Sequence, residues 1–118
     1  MIVIDLNQEI IIANEVRKAT TFWQRLLGLL AKKDLSTEQG LIIEPCKIVH
    51  TFFMNFDLDI IFLNQSGRVV ELVERMPPNQ ISPFVSKAHS VIELRAGVIE
   101  DKGINLGNEI TIKKTLKK

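Results

Sequence analysis

Four polar side chains set into apolar sequence could do chemistry: His50 and Thr51 at the start of the block 46–63, Asp59 further along it, and Glu93 between Ile92 and Leu94. Burying an unpaired hydroxyl or imidazole costs roughly 2–7 kcal/mol, and an unpaired carboxylate more, so these groups must find one another, a backbone partner or a ligand. A convergence of His50, Asp59 and Glu93 could bind a metal or run general acid–base catalysis. The alternatives are a core histidine bonded to a backbone carbonyl, and carboxylates accepting from Arg25, Arg68, Arg95 or loop amides. For Asp59 the expectation is an ionised carboxylate held by loop amides or an arginine, fixing the 55–58 crossover beside His50.

Other chemistries find less support. One cysteine and two histidines without close spacing fall short of a structural zinc site. Cys46 is flanked by Pro45 and apolar sequence, which predicts an inert buried thiol rather than a nucleophile. Gly97, Gly103 and Gly107 are too far apart for a phosphate loop. No metal or cofactor is assigned.

The elements that must position these groups read mainly as strands. Residues 2–6 and 9–13 flank Asn7-Gln8 as a hairpin, and strand character continues to about Thr20. Over 21–33 the residues Phe22, Trp23, Leu26, Leu27, Leu29 and Leu30 form one apolar helical stripe. Thr21 and Gln24 have the spacing of a capping box, and Gly28 lies on the polar side near Arg25. Further strands are expected at 41–43, 46–54, 58–63, 68–75, 90–95 and from 108 to about 115. A turn with Gly67 at positive φ precedes the fourth of these. If 46–54 is a strand, its period of two places Cys46, Ile48, His50, Phe52 and Met54 on one face, so that His50 points into apolar company. Neither 46–54 nor 58–63 alternates cleanly with polar residues, which predicts cover on both faces for each, by a second sheet on one side and the helix or loops on the other. Residues 96–103 read as a glycine-bounded turn or short helix. The stretch 76–88, with Pro77, Pro78 and Pro83, is irregular, and is either a binding loop or a simple connection between sheets.

Composition bounds the class. At 118 residues and 46% hydrophobic, the chain can bury a core as one domain, 1–118. Fifteen basic against fourteen acidic residues leave a net charge of +1, which gives no broad attraction to nucleic acid or an anionic membrane. A single cysteine, the lack of a secretory pattern at the N-terminus and apolar runs too short to span a bilayer point to a reducing cytoplasm.

The order Arg25-x-x-Gly28-Leu29, Gly40, His50-Thr51-x-x-Met54, Leu58-Asp59-x-x-Phe62, Pro78, Val91-x-Glu93-Leu94-x-Ala96-Gly97 and Gly107 resembles the bacterial and archaeal family known as domain of unknown function 192. The similarity runs from about residue 15 to the end. Leu30 stands where that family commonly has Met, and Asn108 where it commonly has Asp. The resemblance implies a mainly β fold, a compact antiparallel β-sandwich or jelly-roll-like barrel with one short helix near 21–33. It marks His50, Thr51, Met54, Asp59 and Glu93 as site positions, with Arg25 and Gly28 in support, and implies no particular activity.

Two functions are compatible with these readings. The first is a binding module, in which the sandwich and the 76–88 loop form a shallow pocket for a small polar molecule or a protein segment. The second is an enzyme using His50 with Asp59 or Glu93. Convergence on an open cavity distinguishes them.

Overall fold

The computed structural model describes residues 1–19 and 35–115. The helix expected over 21–33, with Arg25 and Gly28, lies outside the described residues.

The chain opens with β1 (Ile2–Asp5) and β2 (Ile10–Ala13), an antiparallel hairpin joined by residues 6–9. The Asp5 carboxylate accepts the Asn7 and Gln8 amides at 3.0 and 3.2 Å, so the turn is organised by the acidic residue that precedes it. After β3 (Glu15–Ala19) come β4 (Gln39–Ile43), β5 (Leu58–Leu63), β6 (Val69–Met76) and β7 (Ser90–Arg95). A five-residue helix α1 (Val98–Lys102) and β8 (Ile110–Lys113) complete the described elements.

Two sheets result, with strand orders β2-β1-β8 and β3-β4-β7-β5-β6. They stack in a sandwich-like arrangement without closing into a barrel, so the mainly β expectation holds. One pair departs from the all-antiparallel expectation: β3 and β4 run parallel, from Glu15 opposite Gln39 to Ala19 opposite Ile43. Parallel neighbours need a long crossover, and the intervening 20–38 stretch supplies the length.

All six residues of β5 are buried, Asp59 among them, as the lack of polar alternation predicts. Val3, Val16, Ile61, Ile92, Leu94, Ile99 and Ile110 form a core that joins both sheets and α1. On the opposite face of the larger sheet, Leu58, Ile60, Phe62 and Val91 pack with Val49, Met54, Met76 and Ala88. The larger sheet is therefore a central layer. The three-stranded sheet and α1 lie over one face, and the segments 44–57 and 77–89 lie over the other.

The hairpin between β5 and β6 follows the sequence closely. Gly67 has φ 83°, and a Cβ there would come within 2.6 Å of the Ile110 carbonyl oxygen, so a side chain is excluded twice over. Among the described residues, no helix is long and apolar enough to cross a membrane.

The expected strand over 46–54 is not formed; the segment is irregular apart from one bridge between His50 and Ile81. β4 already has β3 and β7 as neighbours, and β5 has β7 and β6, so neither strand has a ladder edge left for this segment. It crosses the sheet face instead, and its backbone pairs with the Pro-rich stretch. Thr51 N–H donates to the Gln80 carbonyl at 2.9 Å, and Val49 N–H to Ser82 Oγ at 3.0 Å.

Candidate functional site

Asp59 is fully buried, and its carboxylate accepts three backbone amides. Arg75 N–H reaches Oδ1 at 2.8 Å, while Gly97 and Ile99 N–H reach Oδ2 at 3.0 and 2.9 Å. The logic is local. α1 begins at Gly97, a cap residue with φ 99° and no side chain to satisfy the first helical amides, and Asp59 supplies the missing acceptor from β5. The expected amide partners are thus present. The crossover that Asp59 was expected to fix is not its partner, since the carboxylate holds β6 and the start of α1.

Ladder register shows why a three-residue centre cannot assemble. Asp59 lies opposite Leu94, and Glu93 lies opposite Ile60. Opposed residues share a face of a sheet. Leu94 belongs to the core between the sheets and Ile60 to the core beneath the irregular segments, so Asp59 and Glu93 project from opposite faces. Both are fully buried, each in a different layer. Among the described residues no group of three His, Cys, Asp or Glu side chains is placed to hold a metal ion.

The remaining marked positions lie in the covering ribbon formed by 46–54 and 77–85. Thr51 is its fully buried hub. Its hydroxyl donates to the Pro77 carbonyl at 2.6 Å and accepts Gln80 N–H at 3.0 Å, and its carbonyl accepts the amides of Met54 and Asn79 at 3.2 and 2.9 Å. Met54 is buried in the core beneath. The facing of the ribbon reverses the expected polarity: Val49 and Thr51 point inward, while Ile48 is exposed and His50 and Phe52 are half-buried. His50 stacks on Phe52 with ring centroids 4.8 Å apart. Cys46 is half-buried rather than buried, its thiol donating to the Ile48 carbonyl at 3.1 Å.

Met54 turns inward despite sharing its expected face with His50 because a turn intervenes. Met54 N–H closes it onto the Thr51 carbonyl, with Phe53 at φ 67°. The left-handed region costs a non-glycine residue about 1–2 kcal/mol, and a bulky side chain there is an outlier. Phe53 N–H donates to Asn79 Oδ1 at 3.3 Å, and Asn79 itself has φ 61°.

Around this turn the ribbon exposes large apolar side chains: Phe53 at 71%, Phe84 at 66%, Ile81 at 61% and Ile48 at 45%. Ile81 is bridged to His50, and the Val85 amide, next to Phe84, donates to the carbonyl of Lys47, next to Ile48. The Lys47 ammonium is engaged by the carbonyls of Ser86 and Ala88. Sequence reasoning missed this surface. A signal was available: Ile81 and Phe84 sit in a proline-rich stretch that could not enter a central strand, so no strand face was there to bury them.

A second missed network surrounds Asp5, which is fully buried in β1. Burial raises its pKa, but the side-chain hydrogen bonds from Gln8 and Asn108, with the Gln8 and Asn7 amides, outweigh it and leave the value lowered. Gln8 Nε2 also donates to the carbonyls of Lys102 and Gly103, tying the hairpin to the end of α1. Asn108 Nδ2 donates to Asp5 Oδ2 at 2.9 Å, a bond that an Asp at this position could not make while ionised.

Clefts lined by described residues include two away from the ribbon. One of about 420 Å³ lies between Met1, Arg17, Gln39 and Thr115. Another of about 570 Å³ lies between β6 and α1, beside Leu72, Glu74 and Leu106. Neither is lined by His50, Thr51, Asp59 or Glu93.

Comparison with known proteins places these features in a lineage. The model of the DUF192 family, described as an uncharacterized ACR, matches residues 2–112. A UPF0127 protein of Pyrococcus horikoshii is 33% identical over 99 residues, covering 81% of this chain and 85% of the relative. A UPF0127 protein of Thermococcus sibiricus is 32% identical over 100 residues, covering 80% of this chain and 64% of that protein's length. The fold is shared with a crystal structure of a protein of unknown function from Novosphingobium aromaticivorans, at TM-score 0.79 and 21% identity, over 94% of this chain and 82% of that one.

Proposed function

The chain belongs to the DUF192 family, and from that premise we propose that it is a binding domain whose ribbon, 46–54 with 77–85, docks an uncharged apolar segment of another protein. The observation that carries this reading is the group Ile48, Phe53, Ile81 and Phe84, large apolar side chains projecting from one ribbon stapled to a rigid sheet. Surfaces of this kind mark interaction sites, and aromatic anchors dominate interface energetics.

The occupant follows from charge and shape. The named side chains carry no fixed charge, and Lys47 is held by backbone carbonyls of its own chain. A charged partner would lose hydration against this surface without gaining a counter-charge. The side chains project outward, whereas a small molecule needs walls that enclose most of it. A protein segment is therefore the better match. The enzyme reading loses its three-residue form, because Asp59 and Glu93 lie on opposite faces of the sheet. A reducing cytoplasm remains the compartment that suits a chain with one half-buried thiol.

Selection of a random peptide library on the immobilised protein tests the proposal. It predicts that uncharged apolar peptides are recovered and that Phe53→Ser with Phe84→Ser weakens them by more than roughly tenfold. No recovered peptide, or equal binding by the double variant, would contradict it. So would dimerisation of the unmodified protein that the same substitutions abolish, since the occupant would then be a second copy.

A further inference from the structure

Two similarly exposed phenylalanines stand on the ribbon, but only one is held in a backbone conformation that its side chain disfavours. Phe53 has φ 67°, in the third position of a turn closed by Met54 N–H on the Thr51 carbonyl. With φ positive, that position favours glycine or asparagine. Phe84 follows Pro83 and is not among the residues at positive φ. With 71% of Phe53 open to solvent, packing within the chain offers its ring little return for the strain.

The strain is held by specific partners. Asn79, a residue type that tolerates the left-handed region, has φ 61° and presents Oδ1 to the Phe53 amide. Its own amide donates to the Thr51 carbonyl, the same oxygen that closes the Phe53 turn. Thr51 is in turn fixed by its hydroxyl, which bridges Pro77 and Gln80. The three residues form one hydrogen-bonded bracket, and its outcome is an aromatic ring directed away from the protein. Strained backbone persists where surrounding structure over-determines it, and such positions cluster at binding sites.

We infer that Phe53 is the specificity-determining anchor of the docking surface, entering an uncharged apolar pocket on the partner, with Asn79 and Thr51 as its positioning residues; this rests on the reading proposed above. The pocket must be uncharged because Phe52 and Met54, which flank Phe53 in sequence, and Thr51, Asn79 and Gln80, which hold its turn, carry no charge to offer a buried ion. Pre-ordering the ring in the unbound protein removes an ordering cost from association.

The test combines urea unfolding with titration of the peptide recovered by library selection. Phe53→Gly is expected to unfold at a midpoint no lower than the unchanged protein, yet to bind the peptide more than tenfold more weakly. Phe84→Gly is expected to weaken binding less. Asn79→Gly keeps the backbone region but removes the Oδ1 acceptor, and is expected to weaken binding with the Phe53 ring intact, while Asn79→Asp, which retains an acceptor, restores it. A lowered midpoint for Phe53→Gly, or a greater affinity loss for Phe84→Gly, would overturn the anchor. If the unchanged protein recovers no peptide, the docking reading itself fails and the anchor with it. If it binds and Phe53→Gly binds equally well, the anchor alone fails.

Discussion

Asp59 and Glu93 look alike in sequence, each a carboxylate inside an apolar strand, yet one step of register sends them to opposite faces of a sheet. Asp59 is accounted for by three backbone amides, of which those of Gly97 and Ile99 would otherwise be buried without partners. Replacing it with Asn removes the charge and turns an NH2 toward at least one donor. Hydrogen bonds to a charged group contribute about 1.5–3 kcal/mol, so Asp59→Asn is expected to lower the urea midpoint by an amount equivalent to about 2–3 kcal/mol. An unchanged or higher midpoint would show that the carboxylate is not structural. The need for acceptors at Asp59 was legible, because a buried carboxylate in a strand must be satisfied. Which amides supply the bonds was not, since they come from β6 and from a helix start about forty residues downstream. Asn108 is the reverse case: its departure from the family's usual Asp was visible, but its reason became clear only with Asp5 beside it.

The segment 46–54 shows where pattern reading fails and why. Its alternation was real, and residues 48 to 52 do alternate between inside and outside. Period two cannot say which face is inward, and apolar residues on both faces left the choice open. Contrary to the expectation of cover on both faces, the segment is covered on one side only, and Ile48 and Phe53 face solvent. The strands 58–63 and 90–95, by contrast, were legible because both of their faces are buried and both have two ladder neighbours. Thr51 joins the ribbon's two arms through Pro77, Asn79 and Gln80. Thr51→Val keeps the shape, removes the hydroxyl and leaves the Gln80 amide and Pro77 carbonyl short of a partner, at a cost of about 1–3 kcal/mol. Hydrogen exchange should accelerate at the amides of Asn79, Gln80 and Ser82 while those of β5 and β7 stay protected. Uniform acceleration across both sheets would mean that the ribbon is not a separate unit.

The whole molecule is a sheet with two unlike sides. One side is closed by the second sheet and α1, and its polar groups, Asp5 and Asp59, are satisfied within the chain. The other is closed by a ribbon that buries Val49, Thr51 and Met54 beneath it and presents Ile48, Phe53, Ile81 and Phe84 above. On the proposed reading stability and recognition are separated: the carboxylates hold the fold, and the ribbon's outer face is the docking surface. Backbone amide chemical shifts, recorded while a library-selected peptide is titrated into the labelled protein, test this division most directly. The account predicts changes concentrated at residues 48–54 and 79–85, with α1 and the outer strands of the smaller sheet unmoved. Changes centred on the β6–α1 cleft or on Met1, Arg17 and Gln39, with the ribbon silent, would contradict it.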